Sequence, residues 1–151
     1  MMHRVTDVVK NLMIINVIIF FAVKYLIPYP GIDRFFMLVT PGMEFLDGDI
    51  IYKFEPVQIV THMFMHGGIF HLLFNMFALW MFGSVVEKVW GPKRFLIFYF
   101  VCGLGAAFFQ LGTYIHDYWQ IDHGMVNMDL EQYQILYFRE QEGFTVGASG
   151  A

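Results

Sequence analysis

Charge is what this sequence has least of. Asp, Glu, Lys and Arg make up 15% of its 151 residues, against about a quarter in ordinary soluble domains. So few charges would hardly cover the surface of one water-soluble domain, while hydrophobic residues reach 58% and the mean hydropathy is +0.55. Lipid in place of water over much of the surface is the simplest resolution. Basic patches are also missing. The net charge is −4, and nothing points to nucleic acid as a partner. The single cysteine, Cys102, excludes an internal disulfide and sits in an apolar run, where it reads as a small buried hydrophobe. No small-residue cleavage pattern follows the first apolar stretch. Tyr25-Leu26-Ile27-Pro28-Tyr29-Pro30 follows instead, so the stretch reads as a retained transmembrane helix, not a signal peptide. There is no internal repeat.

Long apolar runs are abundant. A spanning helix needs about 20 mostly apolar residues, and three windows qualify: 8–27, 67–86 and 95–114. Lys10 and Lys24 lie near the ends of the first, where long side chains reach the interface. The stretch from Thr145 to Ala151 reads as the opening of a fourth. The expected fold is therefore all-α: a polytopic transmembrane helical bundle of three complete spans plus the start of a fourth, forming one domain portion over residues 1–151. Two long connections are expected, 28–65 and 116–144. The first carries apolar runs, Phe35 to Val39 and Ile50 to Tyr52, suited to lying in the interface with one side in lipid. The connection between the second and third spans is short and turns at Gly91-Pro92. Lys and Arg gather before the first span (Arg4, Lys10) and after the second (Lys88, Lys93, Arg94), which puts the N-terminus in the cytoplasm and the long connections outside.

Polar side chains inside a span are costly and often functional. The second span holds two, His71 and Asn75, four apart and so on one helix face. His62 and His66 precede them at the same spacing. Three readings remain open from these residues alone. The pair joins helices by hydrogen bonds; or His62, His66 and His71 hold a metal, although no Cys or HExxH-type Glu completes a catalytic zinc set; or His71 and Asn75 donate to a developing oxyanion. The third reading requires a nucleophile. Gly147-Ala148-Ser149-Gly150-Ala151 offers Ser149 among small residues at the expected start of a helix, where backbone N–H groups are unpaired and the dipole end is positive. The same small residues also suit plain helix packing, and the pattern differs from the soluble hydrolase elbow because Gly150 directly follows the serine.

Taken together, His71-x-x-x-Asn75 in the second span, Gly83-Ser84-Val85-Val86-Glu87-Lys88 followed by Gly91, and Gly147-x-Ser149-Gly150 opening the fourth resemble the rhomboid family of intramembrane serine proteases. The resemblance covers about residues 8–115 and 145–151. It implies a six-helix membrane bundle around a water-accessible site. Ser149 would be the nucleophile, and His71, Asn75 and the Ser149 backbone N–H would stabilise the oxyanion. The family's base is a histidine on the sixth helix. None of His3, His62, His66, His71, His116 or His123 stands at that place, so the 151 residues are expected to be an N-terminal fragment, inactive alone, of an enzyme hydrolysing peptide bonds in or near transmembrane segments. No cofactor and no metal is expected. The partners would be transmembrane protein substrates and the lipid bilayer, in the cytoplasmic membrane if the source is bacterial. The alternative is a non-catalytic relative that binds transmembrane segments.

The family's Trp-Arg pair ahead of the histidines is replaced here by Val57 and Gln58, and the acidic stretch Asp117–Phe144 is longer than a minimal family loop. Glu87 reads either as a solvated helix-end charge or, by resemblance, as a hydrogen-bonding link between helices. Gly103, Gly105, Ala106 and Ala107 read as close-packing positions, and His116 and His123 as solvated.

Overall fold

The structure is a computed structural model that describes residues 5–26, 32–39, 41, 44–47, 50–125, 129 and 132. Its frame is three apolar helical segments long enough to cross a bilayer: Asp7–Leu26, Ile69–Trp90 and Pro92–Ile121. Only 22–33% of each segment's apolar window is buried within the protein. Outward-facing Ile14, Ile18, Phe74, Phe77, Val101 and Phe109 instead meet the surroundings, as a lipid-solvated bundle requires. The chain forms a multi-pass membrane helical bundle.

Helix α1 (Asp7–Phe21) opens after Thr6, which is extended at φ −80 and ψ 162. It ends in a wide π-type turn, Ala22–Leu26. The second span comprises α4 (Ile69–Ala78), a π-type turn (Leu79–Gly83) and α5 (Ser84–Trp90). A single residue, Gly91, then reverses the chain into α6 (Pro92–Asp122). Gly91 sits at φ +81, a conformation open to glycine at little cost, and Pro92 follows at the helix start, where its missing N–H is no loss. Helix α6 has 31 residues, about 46 Å at 1.5 Å per residue. That exceeds a hydrocarbon core of about 30 Å, so α6 carries on well past Tyr114, the end of its apolar window in the sequence, through His116, Asp117 and Trp119.

Packing, not hydrophobic transfer, holds helices together in lipid. Val9, Leu12 and Phe20 of α1 meet Leu72, Met76 and Leu79 of the second span and Phe95 and Tyr99 of α6 in one buried cluster. Gly83 allows the close approach: a β-carbon there would lie 3.1 Å from Leu79 Cδ1 and Val9 Cγ2 and 3.2 Å from Phe95 Cζ. At the opposite end Gly103 leaves room for Met63, whose side chain a β-carbon would overlap. Gly105, by contrast, has open space around it and is not a close-packing position within the described residues.

The first connection contains structure of its own. A short helix α2 (Ile32–Phe36) is followed by an antiparallel pair, β1 (Glu44–Asp47) and β2 (Ile50–Lys53), with Glu44 opposite Lys53 and Asp47 opposite Ile50. A helix α3 (Gln58–Thr61) and a 3₁₀ turn (His62–Phe64) then lead to the second span. The hairpin is a small addition to a helical bundle. The end of the apolar run before it does not turn to lipid as its composition suggests, although Phe35 at its start is exposed. Met37, Leu38 and Val39 are buried. Met37 and Met65 pack with Ile19 of α1 and Val23 of the π-type turn after it, and Leu38 packs with Ala107 and Leu111 of α6. Apolar side chains here seal the gap between two spans.

Candidate active site

The second span presents polar groups at both ends. His71 lies in the first turn of α4 and is half-buried; Asn75, one turn on, is 8% exposed. Four residues of helix place them about 6 Å apart along the axis on one face. Asn75 Nδ2 is buried with no hydrogen-bond partner among the described residues. An amide with donor capacity left over at membrane depth is costly as structure, and it is what an oxyanion stabiliser requires.

Two more histidines support this end from the preceding segment. His62 and His66 are both buried. His62 Nδ1 lies 2.9 Å from the Gln58 carbonyl, and His66 Nδ1 lies 3.2 Å from the Phe64 carbonyl. A carbonyl only accepts, so each Nδ1 carries the proton and each Nε2 presents a lone pair. The His66 ring stands edge-on to His71, centroids 5.4 Å apart at 66°. Burial, and next the neighbouring His71, pull His66 down to about 4; burial also lowers His62, against the opposing pull of the Gln58 and Ile59 carbonyls. Both imidazoles are therefore neutral near pH 7. Among the described residues, no three His, Cys, Asp or Glu side chains come together as a metal-holding set.

Ser149, with Gly147, Gly150 and the fourth span expected from about residue 145, lies outside the described residues, so its distance from His71 and Asn75 is not part of this geometry. His116 and His123 are exposed on α6 and on the turn after it. Glu87 is buried, 5% exposed, and its carboxylate accepts from Thr6 Oγ1, from Val8 N at 3.1 Å and from Val9 N at 3.0 Å. It is thus a link between helices, the second of the two readings its position allowed, and it caps the first turn of α1 from another helix.

Two further buried polar residues have roles that the sequence reading does not assign. Asn16 is fully buried, with Nδ2 donating to the Leu12 carbonyl at 2.7 Å. An asparagine between Ile15 and Val17 in a spanning window is a visible signal of the same kind as Asn75. Gln58 is 2% exposed and bonds three main-chain groups; its spacing carries no such signal.

Comparison with known proteins identifies the family. A rhomboid domain matches over residues 53–151, about two thirds of the chain. A rhomboid protease GluP of Bacillus subtilis (strain 168) is 38% identical over 58 residues, covering 38% of this chain and 11% of that protein. A rhomboid protease GlpG of Salmonella choleraesuis (strain SC-B67) is 36% identical over 62 residues, 41% of this chain and 22% of that protein. The chain thus spans about a tenth to a fifth of the length of these curated relatives. No solved structure matches it. The match runs through the helical segment that carries His71, Asn75 and Glu87 and on through Ser149, and on that ground the chain belongs to the rhomboid family.

Proposed function

We propose that this chain supplies the nucleophile and oxyanion half of an intramembrane serine endopeptidase that hydrolyses peptide bonds in or near the transmembrane segments of other membrane proteins. Ser149 attacks the scissile carbonyl. The tetrahedral oxyanion is held by His71, Asn75 and the Ser149 backbone N–H, donors fixed before reaction and so requiring no reorganisation. A serine hydroxyl is a weak nucleophile until a base takes its proton, and the base is a histidine from outside these 151 residues. Alone, the 151 residues would be inert or nearly so.

The observation that carries this reading is Asn75: an amide whose Nδ2 has no partner among the described residues, buried one turn beyond His71 in an apolar helix of a rhomboid-family chain. Water reaches the site from the His66–His71 end, since polar groups at membrane depth must face protein or water. A substrate helix has to unwind locally to offer an extended backbone, so helix-weakening residues near the cleaved bond favour cleavage. The basic ends, Lys10 with Lys88, Lys93 and Arg94, support a cytoplasmic N-terminus and Gly91 turn, and in a bacterium the membrane would be the inner one.

The test is cleavage of a transmembrane substrate by the full-length protein in liposomes, together with labelling by a serine-directed phosphonate. Ser149→Ala is expected to abolish labelling and to lower turnover at least 10³-fold, the residue coming from binding and oxyanion donors. Equal labelling of both proteins removes Ser149 from the mechanism. Absence of both labelling and cleavage in the wild type favours a binding protein instead.

A further inference from the structure

The segment that delivers His66 and His71 has little regular structure of its own. Helix α3 is only four residues long, and the 3₁₀ turn after it has three; neither is stable in isolation. Its anchor is Gln58, at 2% exposure among the most buried side chains of the molecule. The Gln58 amide is fully used by main chain on three sides. Oε1 accepts from Val39 N at 3.1 Å. Nε2 donates to the Phe35 carbonyl at 3.1 Å and to the Lys53 carbonyl at 3.1 Å. One side chain thus joins the end of α2, the sealing segment Leu38–Val39 and the end of β2.

The same residue reaches the site through its backbone. The Gln58 carbonyl receives His62 Nδ1–H at 2.9 Å. One turn along, Thr61 Oγ1 donates to the Phe36 carbonyl at 3.0 Å, and Met63 lies against Gly103 of α6. From there the extended Met65 leads to His66, whose ring abuts His71. Glutamine suits the place because it needs one acceptor and two donors in a plane. A carboxylate lacks the donors, and an ammonium or guanidinium lacks the acceptor.

We propose that Gln58 is a positioning residue for the oxyanion donors: its amide fixes the first connection to α3 and so sets where the first turn of α4 holds His71. The inference rests on the proposed protease reading only for its activity readout. The clamp itself is read separately, by amide exchange at Val39.

The experiment compares full-length wild type, Gln58→Met, Gln58→Glu, His71→Ala and the Gln58→Met/His71→Ala double variant in liposomes. Gln58→Met keeps length and apolar volume and loses all three bonds. Gln58→Glu keeps the acceptor for Val39 and loses the donors, and it serves if the methionine variant folds poorly. Amide exchange at Val39 is expected to rise at least tenfold in Gln58→Met and less in Gln58→Glu. Turnover is expected to fall at least tenfold with KM within twofold. The double variant is expected to be no slower than His71→Ala alone, because a residue acting through another has nothing further to lose. Full turnover in a Gln58→Met protein with fast Val39 exchange overturns the positioning role and leaves the protease reading intact. Multiplying rate losses in the double variant also overturn it, in favour of general stability. Absence of cleavage by the wild type with Val39 exchange behaving as expected counts against the protease reading and leaves the clamp.

Discussion

The second span carries a polar group at each end, and the two are built differently. At the Gly91 end, the Glu87 carboxylate is buried and accepts from three donors of the neighbouring helix and its cap, Thr6, Val8 and Val9. At the His71 end, Asn75 is buried almost as completely, and among the described residues its Nδ2 and the Nε2 of His66 have no hydrogen-bond partner. A buried group whose hydrogen bonds are all made within the protein is spent on structure. A buried group with capacity left over costs stability, and within the proposed mechanism the substrate supplies the missing partner. The two ends should therefore respond oppositely to mutation, one in stability and the other in rate.

The largest expected effect is at the open end. Asn75→Ala in the full-length protein should lower kcat/KM by about 10²–10³-fold, roughly 3–4 kcal/mol of transition-state stabilisation. Its unfolding midpoint in mixed micelles should hardly move, because the deleted Nδ2 makes no bond among the described residues. A matched loss of stability would make Asn75 part of the packing and erase the contrast. Glu87→Ala should do the reverse. It strands two first-turn N–H groups of α1 in a buried place, at a cost of about 3 kcal/mol, read in the same unfolding titration. The rate of the molecules that stay folded should fall only a few-fold.

How much of this was legible beforehand depended on whether the signal lay in a run, a spacing or a contact. The three spans are runs of apolar residues, and length with composition suffices for them. His71 and Asn75 were legible because polar side chains are rare in such runs and their spacing of four puts them on one face. The role of Glu87 was not decided by its position. Its three donors lie some eighty residues earlier in the chain, and no local pattern announces so distant a contact. The burial of Met37, Leu38 and Val39 was hidden for a related reason: an apolar run suits lipid or protein equally, and only the gap between α1 and α6 selects protein. Gln58 is the extreme case. It stood out only as a departure from the family's Trp-Arg pair, since a glutamine in a polar connection is unremarked until its three main-chain partners are in place. The hairpin from Glu44 to Lys53 lies in a stretch whose acids, glycines and apolar residues give no clean alternation. The serine motif was legible as a sequence and lies outside the described residues.

A smaller effect separates the two ends by pH. His66 is held at about 4 against an ordinary 6.5, chiefly by burial and then by His71. The folded state therefore binds fewer protons than the unfolded chain between those values, so the stability contributed is complete above about 6.5 and is lost as pH falls toward 4. The loss should be on the order of 2 kcal/mol. Unfolding titrations from pH 7.5 to 4.5 should show it in the wild type and a clearly shallower slope in His66→Phe. An unchanged slope in the variant would assign the acid sensitivity elsewhere, with His62 the next residue to replace.

The smallest effect tests whether the packing behind the two ends differs as their polar groups do. Gly83→Ala at the Glu87 end asks Leu79, Val9 and Phe95 to give way by a few tenths of an ångström. Alanine's better helix propensity, about 1 kcal/mol, offsets that, so stability should stay within about 0.5 kcal/mol. Gly103→Ala is harder, because the new methyl overlaps the Met63 side chain, which is 1% exposed. Met63 is flexible, but it must repack in a filled space, and overpacking costs about 1–3 kcal/mol. After the same propensity gain, about 1 kcal/mol of destabilisation should remain. Met63 follows His62 in the 3₁₀ turn that leads through Met65 to His66, so its displacement moves the histidine segment. Gly103→Ala should therefore lose more in turnover, several-fold, than its unfolding midpoint suggests, whereas Gly83→Ala should lose neither. Equal and small effects of both substitutions on turnover would mean that the histidine segment tolerates displacement, and that the open end is held by the second span alone.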